Sequence, residues 1–168
     1  MSTSQICCFV GILLFVPGLA RADRGVNCQV TASFSGEGSI GARLTQALRE
    51  ANQRITVALF GFNNVQLADE LAKLAKKGVV VRLKVDTAKS LEKKTGGVVN
   101  FLKSSGVRVQ TVAPDGRNHN KFAVIDRKRV ITGSYNWTLK AEQNWENLLF
   151  LDCPELAEKY EREWDRIR

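Results

Sequence analysis

The chain has 168 residues, 44% of them hydrophobic, and carries 25 Lys and Arg against 17 Asp and Glu for a formal net charge of +8. A chain of this length and apolar content buries a core unaided, which excludes one that needs help to fold. Its positive balance draws polyanions, either nucleic acid or an anionic lipid surface, without choosing between them.

Residues 6–19 are almost entirely apolar and run into Ala20-Arg21-Ala22, the small-x-small pattern that precedes signal cleavage. Residues 1–22 therefore read as a signal peptide and 23–168 as the mature domain, which places the protein in the periplasm or outside the cell without stable membrane association. Broken by Pro17 and Gly18, the apolar run falls short of the roughly 20 residues of a membrane-spanning helix. No Lys or Arg precedes it, so an uncleaved amino-terminal anchor is the competing expectation. Cleavage removes Arg21 and no acid, and the mature chain stays basic. Cys7 and Cys8 fall in the signal. Cys28 and Cys153 remain, a pair of the kind exported proteins commonly bridge, with two buried free thiols as the alternative.

At 29–34 apolar and polar residues alternate (Val30, Ala32, Phe34) as in a strand, which Gly36-Glu37-Gly38 ends. Ile40, Leu44, Ala47, Leu48 and Ala51 are spaced to share one side of a helix. The run 55–62 is apolar throughout and too short to favour a helix, as suits a strand covered on both faces. Leu67, Leu71, Leu74 and Ala75 predict a second helix that stops at Lys76-Lys77-Gly78, and 79–85 predicts another buried strand. A polar, Lys-rich segment (Lys89, Lys93, Lys94) leads to a short helix with Val98, Phe101 and Leu102, a strand at 107–112 and a turn at Pro114-Asp115-Gly116. Residues 121–125 and 130–133 form a hairpin around Asp126-Arg127-Lys128-Arg129, and 148–151 adds a strand. Pro154 opens a final helix with Leu156, Tyr160, Trp164 and Ile167 along one stripe. This alternation predicts an α/β fold, a mixed central sheet flanked by helices, in one domain without internal repeats.

The only histidine lies in His119-Asn120-Lys121-Phe122-Ala123-Val124-Ile125-Asp126, which satisfies H-x-K-x(4)-D. In an extended strand His119 and Lys121 share a face, while Phe122 and Val124 point to the opposite, buried side. Gly133-Ser134-Tyr135-Asn136 follows, then Glu146 in Glu146-Asn147-Leu148. Three residues in such a pattern recur by chance; together with the two downstream segments they form a specific signal. Their order and spacing resemble the phospholipase D superfamily, named for this HKD motif, and most closely its small bacterial endonucleases with one motif per chain. The resemblance covers nearly everything after the first two dozen residues, with the stretch from Ser134 to Glu146 one residue shorter than in that family. It implies a phospholipase D-like fold and a phosphodiesterase.

Cleaving a phosphodiester takes a nucleophile, a proton donor for the leaving oxygen and positive charge against the non-bridging oxygens. An imidazole, with an ordinary pKa of about 6.5, serves as nucleophile when neutral and as acid when charged, but not as both at once. A covalent mechanism then needs a second His119 from a twofold-related copy, and the longer relatives with two motifs per chain support such a homodimer. Lys121, Ser134 and Asn136 are expected to hold the phosphate oxygens, and Glu146 to accept the other ring N–H of His119. Asp126, in a hairpin turn, is assigned to structure before chemistry. Tyr135, Trp137 and Trp145 are expected to pack rather than stack on bases. Lys89, Lys93, Lys94, Arg127, Lys128 and Arg129 are candidate phosphate contacts or simply a solvated face. One His and two distant Cys offer no metal-ligand spacing, so neither metal nor other cofactor is expected.

The function these residues point to is a metal-independent endonuclease for DNA, with RNA as a second polymer, showing little sequence preference because phosphates carry no sequence. One alternative is a phospholipid phosphodiesterase; no exposed apolar stretch after the signal marks an acyl channel. The other is an inert basic nucleic-acid-binding module, against which an intact His119, Lys121, Ser134 and Asn136 argue.

Overall fold

The computed structural model describes residues 27–113 and 115–168; the signal segment, with Cys7 and Cys8, and Pro114 of the expected turn lie outside the described residues. Seven strands form one sheet: β1 (Gln29–Phe34), β2 (Arg54–Leu59), β3 (Val80–Asp86), β4 (Arg108–Val112), β5 (Lys121–Ile125), β6 (Arg129–Gly133) and β7 (Asn147–Asp152). Their spatial order is β1-β7-β6-β5-β2-β3-β4. β2, β3 and β4 pair in parallel, whereas β5 pairs antiparallel with β2 and the rest of the sheet continues antiparallel. This is the mixed α/β sheet that the sequence predicts.

The helices are α1 (Ile40–Arg49), α2 (Val65–Lys76), α3 (Thr87–Ser90), α4 (Lys93–Ser104) and α5 (Pro154–Arg166). Leu44 and Leu48 of α1, Leu67 and Leu71 of α2, and Val98 and Leu102 of α4 pack with Ile55, Val57, Leu59 and Leu83 on one face of the sheet. On the other face, Ala157 and Trp164 of α5 pack against Ala58, Phe122, Val124 and Val130. Successive β2 residues thus feed opposite cores, which explains its uninterrupted apolar run. α5 is also held by polar contacts: the Trp164 indole N–H donates to the Val57 carbonyl at 2.8 Å. The buried Lys84 ammonium donates to the carbonyls of Trp164 at 2.8 Å and Ile167 at 2.7 Å, answering acceptors that a helix end leaves unpaired. Burial pushes the Lys84 pKa down.

Two stretches depart from expectation. The Lys-rich segment is helical, because the Asp86 carboxylate accepts the Lys89 backbone N–H at 3.0 Å and caps α3, after which α4 runs the full span Lys93–Ser104. In β1 the apolar side of the alternation faces outward, with Val30 56% and Phe34 51% exposed, while Ser33 is buried. β1 is an edge strand, and α5 packs on β2, β5 and β6 instead.

The β5–β6 hairpin turns through Asp126 and Arg127 at φ 50° and 57°. The Asp126 carboxylate accepts backbone N–H groups of Asn52 at 2.9 Å, Gln53 at 2.9 Å and Arg54 at 2.8 Å, tying the turn to the start of β2. Partial burial alone would raise its pKa, but these three donors hold it below the usual carboxylate range. Just before β1, Cys28 is bridged to Cys153, the N-cap of α5, across 125 residues of sequence.

Asp126→Asn should cost about 1–3 kcal/mol in urea unfolding. Because the folded-state pKa is depressed, the ionised carboxylate stabilises fully above its unfolded value of about 3.9 and loses that contribution as the pH falls through the folded value. The gap between wild type and variant should therefore close in acid and stay constant from pH 5 to 7. Reducing the Cys28–Cys153 bridge should lower stability by about 4–5 kcal/mol on the chain-entropy model, read as a lower urea midpoint with reductant than without.

Candidate active site

Antiparallel pairing sets Lys121 opposite Leu59, so the start of β5 meets the carboxyl ends of β2 and β3. His119 lies just ahead of β5, in a loop pinned by buried polar contacts. The Asn118 backbone N–H donates to Asp86 Oδ2 at 3.1 Å, and the Asn118 side chain donates to the Leu59 carbonyl at 3.2 Å. Asn120 Nδ2 donates to Asn118 Oδ1 at 2.9 Å, and the Phe60 N–H donates to the Asn120 carbonyl at 2.9 Å. Asp86 thus caps α3 with one oxygen and holds the histidine loop with the other. None of these positioning residues was singled out from sequence; the available signal was an asparagine on each side of His119.

The exposed His119 ring packs 4.5 Å from the Phe60 ring. The Lys121 ammonium donates to the His119 carbonyl at 2.9 Å and lies 3.2 Å from its Nδ1. Burial lowers the Lys121 pKa, and Glu146 opposes that shift. The two motif residues thus share a face as expected.

β6 ends at Gly133, where a Cβ would lie 2.2 Å from the Asn147 carbonyl oxygen, so only glycine lets β6 approach β7 this closely. The next residue, Ser134, donates to the Glu146 carboxylate and accepts the Asn147 backbone N–H at 3.1 Å. Asn144 Nδ2 donates to the other Glu146 oxygen at 3.1 Å. Within one chain Glu146 is therefore occupied by Ser134 and Asn144, in place of the expected bond to the His119 ring. Asn136 lines a polar pocket of about 240 Å³ with Phe60, Lys89, Thr138 and Lys140, and its buried Oδ1 has no hydrogen-bond partner.

The segment carrying Ser134 and Asn136 is fixed by its aromatic residues. Buried Tyr135 donates to Glu142, and burial together with that carboxylate drives its pKa far above the usual phenol value. Trp137 is buried edge-on to Phe62 at 5.5 Å, and its carbonyl accepts the N–H groups of Asn63 and Asn64 at 3.0 Å each. These two pack as expected. Trp145 does not: it is 90% exposed.

Asp126 is not brought to the site, since it follows the far end of β5 from Lys121, and Arg127 and Lys128 lie in the same turn. Arg129 is held by Asp152 and by Glu50, which strongly favour its charged form. Of the candidate phosphate contacts, Lys89 is at the pocket, 5.1 Å from the Phe60 ring and paired with Glu92 at 2.6 Å. Lys93 and Lys94 edge a groove of about 890 Å³, walled by Val65, Ala68, Val98, Phe101 and Leu139, which meets the polar pocket at Asn63. This apolar groove corrects the expectation of none: it is assembled from α2, α4 and one residue after Trp137, so no contiguous stretch announces it. Among the described residues no three His, Cys, Asp or Glu side chains converge to hold a metal ion, and no helix is long and apolar enough to cross a membrane.

Residues 44–168 match the family model described as "Cardiolipin synthase, PLD-like domain". The chain is 34% identical over 165 residues to the mitochondrial cardiolipin hydrolase of Mus musculus, covering 98% of this chain and 72% of that protein. The same enzyme from Homo sapiens is 34% identical over 167 residues, covering 98% of this chain and 64% of its own length, so the chain spans about two thirds of these relatives. Among solved structures, the phospholipase D family member Nuc from Salmonella typhimurium superposes with a TM-score of 0.80 at 26% identity, over 84% of this chain and 94% of Nuc. With the His119 and Lys121 of its HKD motif at one end of a mixed seven-stranded sheet, the chain belongs to the phospholipase D-like family of phosphodiesterases.

Proposed function

We propose that the protein is an exported, metal-independent endonuclease that hydrolyses DNA, and RNA as a second polymer, at a site shared by two copies of the chain. The observation that carries this reading is the setting of His119: an exposed imidazole beside Lys121 and against Phe60, a residue that also lines a small pocket with Lys89, Glu92, Lys140 and Asn136, on a chain of net charge +8. Such a surface takes a polyanionic backbone without reading bases. The Cys28–Cys153 bridge supports export, because structural disulfides persist in oxidising compartments.

In this mechanism one His119 attacks phosphorus and forms a phosphohistidine, while the partner's His119 protonates the departing alcohol. The partner imidazole, now neutral, takes a proton from water, and the hydroxide displaces the first His119 to leave a phosphate monoester. Lys121 shifts its ammonium from the His119 ring to the phosphate oxygens, where the Ser134 hydroxyl and the Asn136 side-chain N–H donate further hydrogen bonds. Glu146 acts on this site by favouring the charged form of Lys121.

A second reading, phospholipid phosphodiesterase, is favoured by the apolar groove that meets the polar pocket at Asn63 and by the names of the mammalian relatives. Neither the groove nor the pocket includes His119 or Lys121, but the pocket shares Phe60 with the His119 ring and carries Lys89 and Lys140, cations suited to a phosphate backbone. Nucleic acid therefore leads.

In chelator, the mature protein should nick plasmid DNA and leave labelled cardiolipin vesicles intact; lipid turnover without nicking would reverse the order of the two readings. His119→Asn should lower cleavage at least about a thousandfold while keeping salt-dependent DNA binding. Mixing wild type with an equal amount of His119→Asn should leave about a quarter of the dimers with both imidazoles and so halve the rate per wild-type chain, whereas a self-sufficient monomer would keep its full rate.

A further inference from the structure

Trp145 is the most exposed large hydrophobic residue among those described, at 90%, while Trp137 and Trp164 are buried. An indole so fully in water leaves both its π-faces and its ring N–H open to a ligand. The segment beneath the indole is fixed rather than loose. The Ser35 N–H donates to the Glu146 carbonyl at 3.0 Å, and the Glu146 N–H donates to Ser35 Oγ at 2.9 Å. Asn144 closes the other side, its N–H donating to the Ala141 carbonyl at 3.1 Å. The outer edge of the six-membered ring rests on Gly36, where a Cβ would come within 3.2 Å of Cζ3, so the bare turn at Ser35–Glu37 forms a seat for the ring.

This seat adjoins the candidate site. Glu146, the next residue, accepts from Ser134 and favours the charge on Lys121. A ring displayed there, with polar Asn144 and Glu146 on either side, suits a flat aromatic ligand group better than a greasy patch does. On the nucleic-acid reading above, on which this inference rests, we propose that Trp145 stacks against an unpaired base flanking the scissile phosphate. Stacking tolerates any base, because each has a π-face, and it adds grip without sequence readout. It also favours strands whose bases are free over fully paired duplex.

The test uses the full chain in the His119→Asn background, so that bound strand is not cut, with a single-stranded oligonucleotide and a matched strand of abasic residues bearing the same number of phosphates. The ordinary strand should bind about tenfold tighter than the abasic one and quench the exposed indole emission. Trp145→Ala should erase that difference and leave abasic binding unchanged, and Trp145→Phe should restore most of it. Equal, salt-dependent binding of both strands to the Trp145 protein would overturn stacking while leaving the nucleic-acid reading standing; failure of both strands to bind at low salt would overturn both. A lower mass by light scattering for Trp145→Ala would mark the ring as a subunit contact, and a loss confined to cardiolipin vesicles would mark it as a lipid contact. Either result would also sink the inference.

Discussion

The antiparallel pairing of β5 with β2 in one register, Lys121 opposite Leu59, is the constraint on which the site depends. From β2 to β4 the chain is a parallel α/β unit, whose functional edge lies at the carboxyl ends of its strands. β5 enters that sheet from the opposite direction, so its first residue, not its last, lies at the functional edge. A one-residue slip would turn Lys121 into the core under α5 and expel Phe122 and Val124 from it. Burying an ammonium under α5 while forcing Phe122 and Val124 into the opposite core, where Ala123 and Ile125 now fit, is costly enough to make the register unambiguous. The hydrophobic pattern of β5 thus aims the lysine.

His119 lies outside the strand and depends on a different interaction. Its loop is held by Asn118, almost fully buried, which spends its backbone N–H on Asp86 and its side-chain amide on Leu59. Inside a protein such a network is all or nothing, because each unpaired buried group carries its full desolvation cost. β3 explains how one strand serves both layers. Arg82, Lys84 and Asp86 alternate onto the α5 side, where Arg82 meets Glu161 at 2.5 Å, Lys84 meets the end of α5, and Asp86 meets the histidine loop. Charges that look out of place in a buried strand are the pins that lock the terminal helix and the active loop to the sheet.

Most of the element order was legible in sequence because period-2 and period-3.6 patterns report burial directly, and the HKD, Gly-Ser-x-Asn and Glu-Asn-Leu segments were legible because their spacing is local. What escaped depends on neighbours distant in sequence. Val30 and Phe34 alternate as a buried face should, yet only the strand order shows that β1 is an edge beyond α5. The apolar groove needs Val65, Phe101 and Leu139 from three segments. Glu146 carries the right residue type at nearly the right spacing, but its partners are set by the Gly133–Asn147 approach, which places Ser134 against it before any imidazole can reach. The fate of Asp126 was readable, since a left-handed turn and three backbone donors are what an aspartate at that point in a hairpin serves best.

The surroundings of the imidazole carry the argument for two subunits further than the residue count does. Within one chain the His119 ring meets a hydrophobic face at Phe60 and an ammonium at Lys121, and neither can give a proton to a leaving alkoxide and then recover it at neutral pH. In the proposed mechanism Lys121 also has to stay charged to hold the phosphate, which the pull of Glu146 favours against burial. Glu146 in turn is engaged by Ser134 and Asn144 and leaves the ring alone. Each neighbour that might have served as the acid is committed to another task. In the proposed mechanism the exposed side of His119 is the direction left for a proton donor, and a second copy of the same loop would bring an imidazole there without requiring anything new of the sequence.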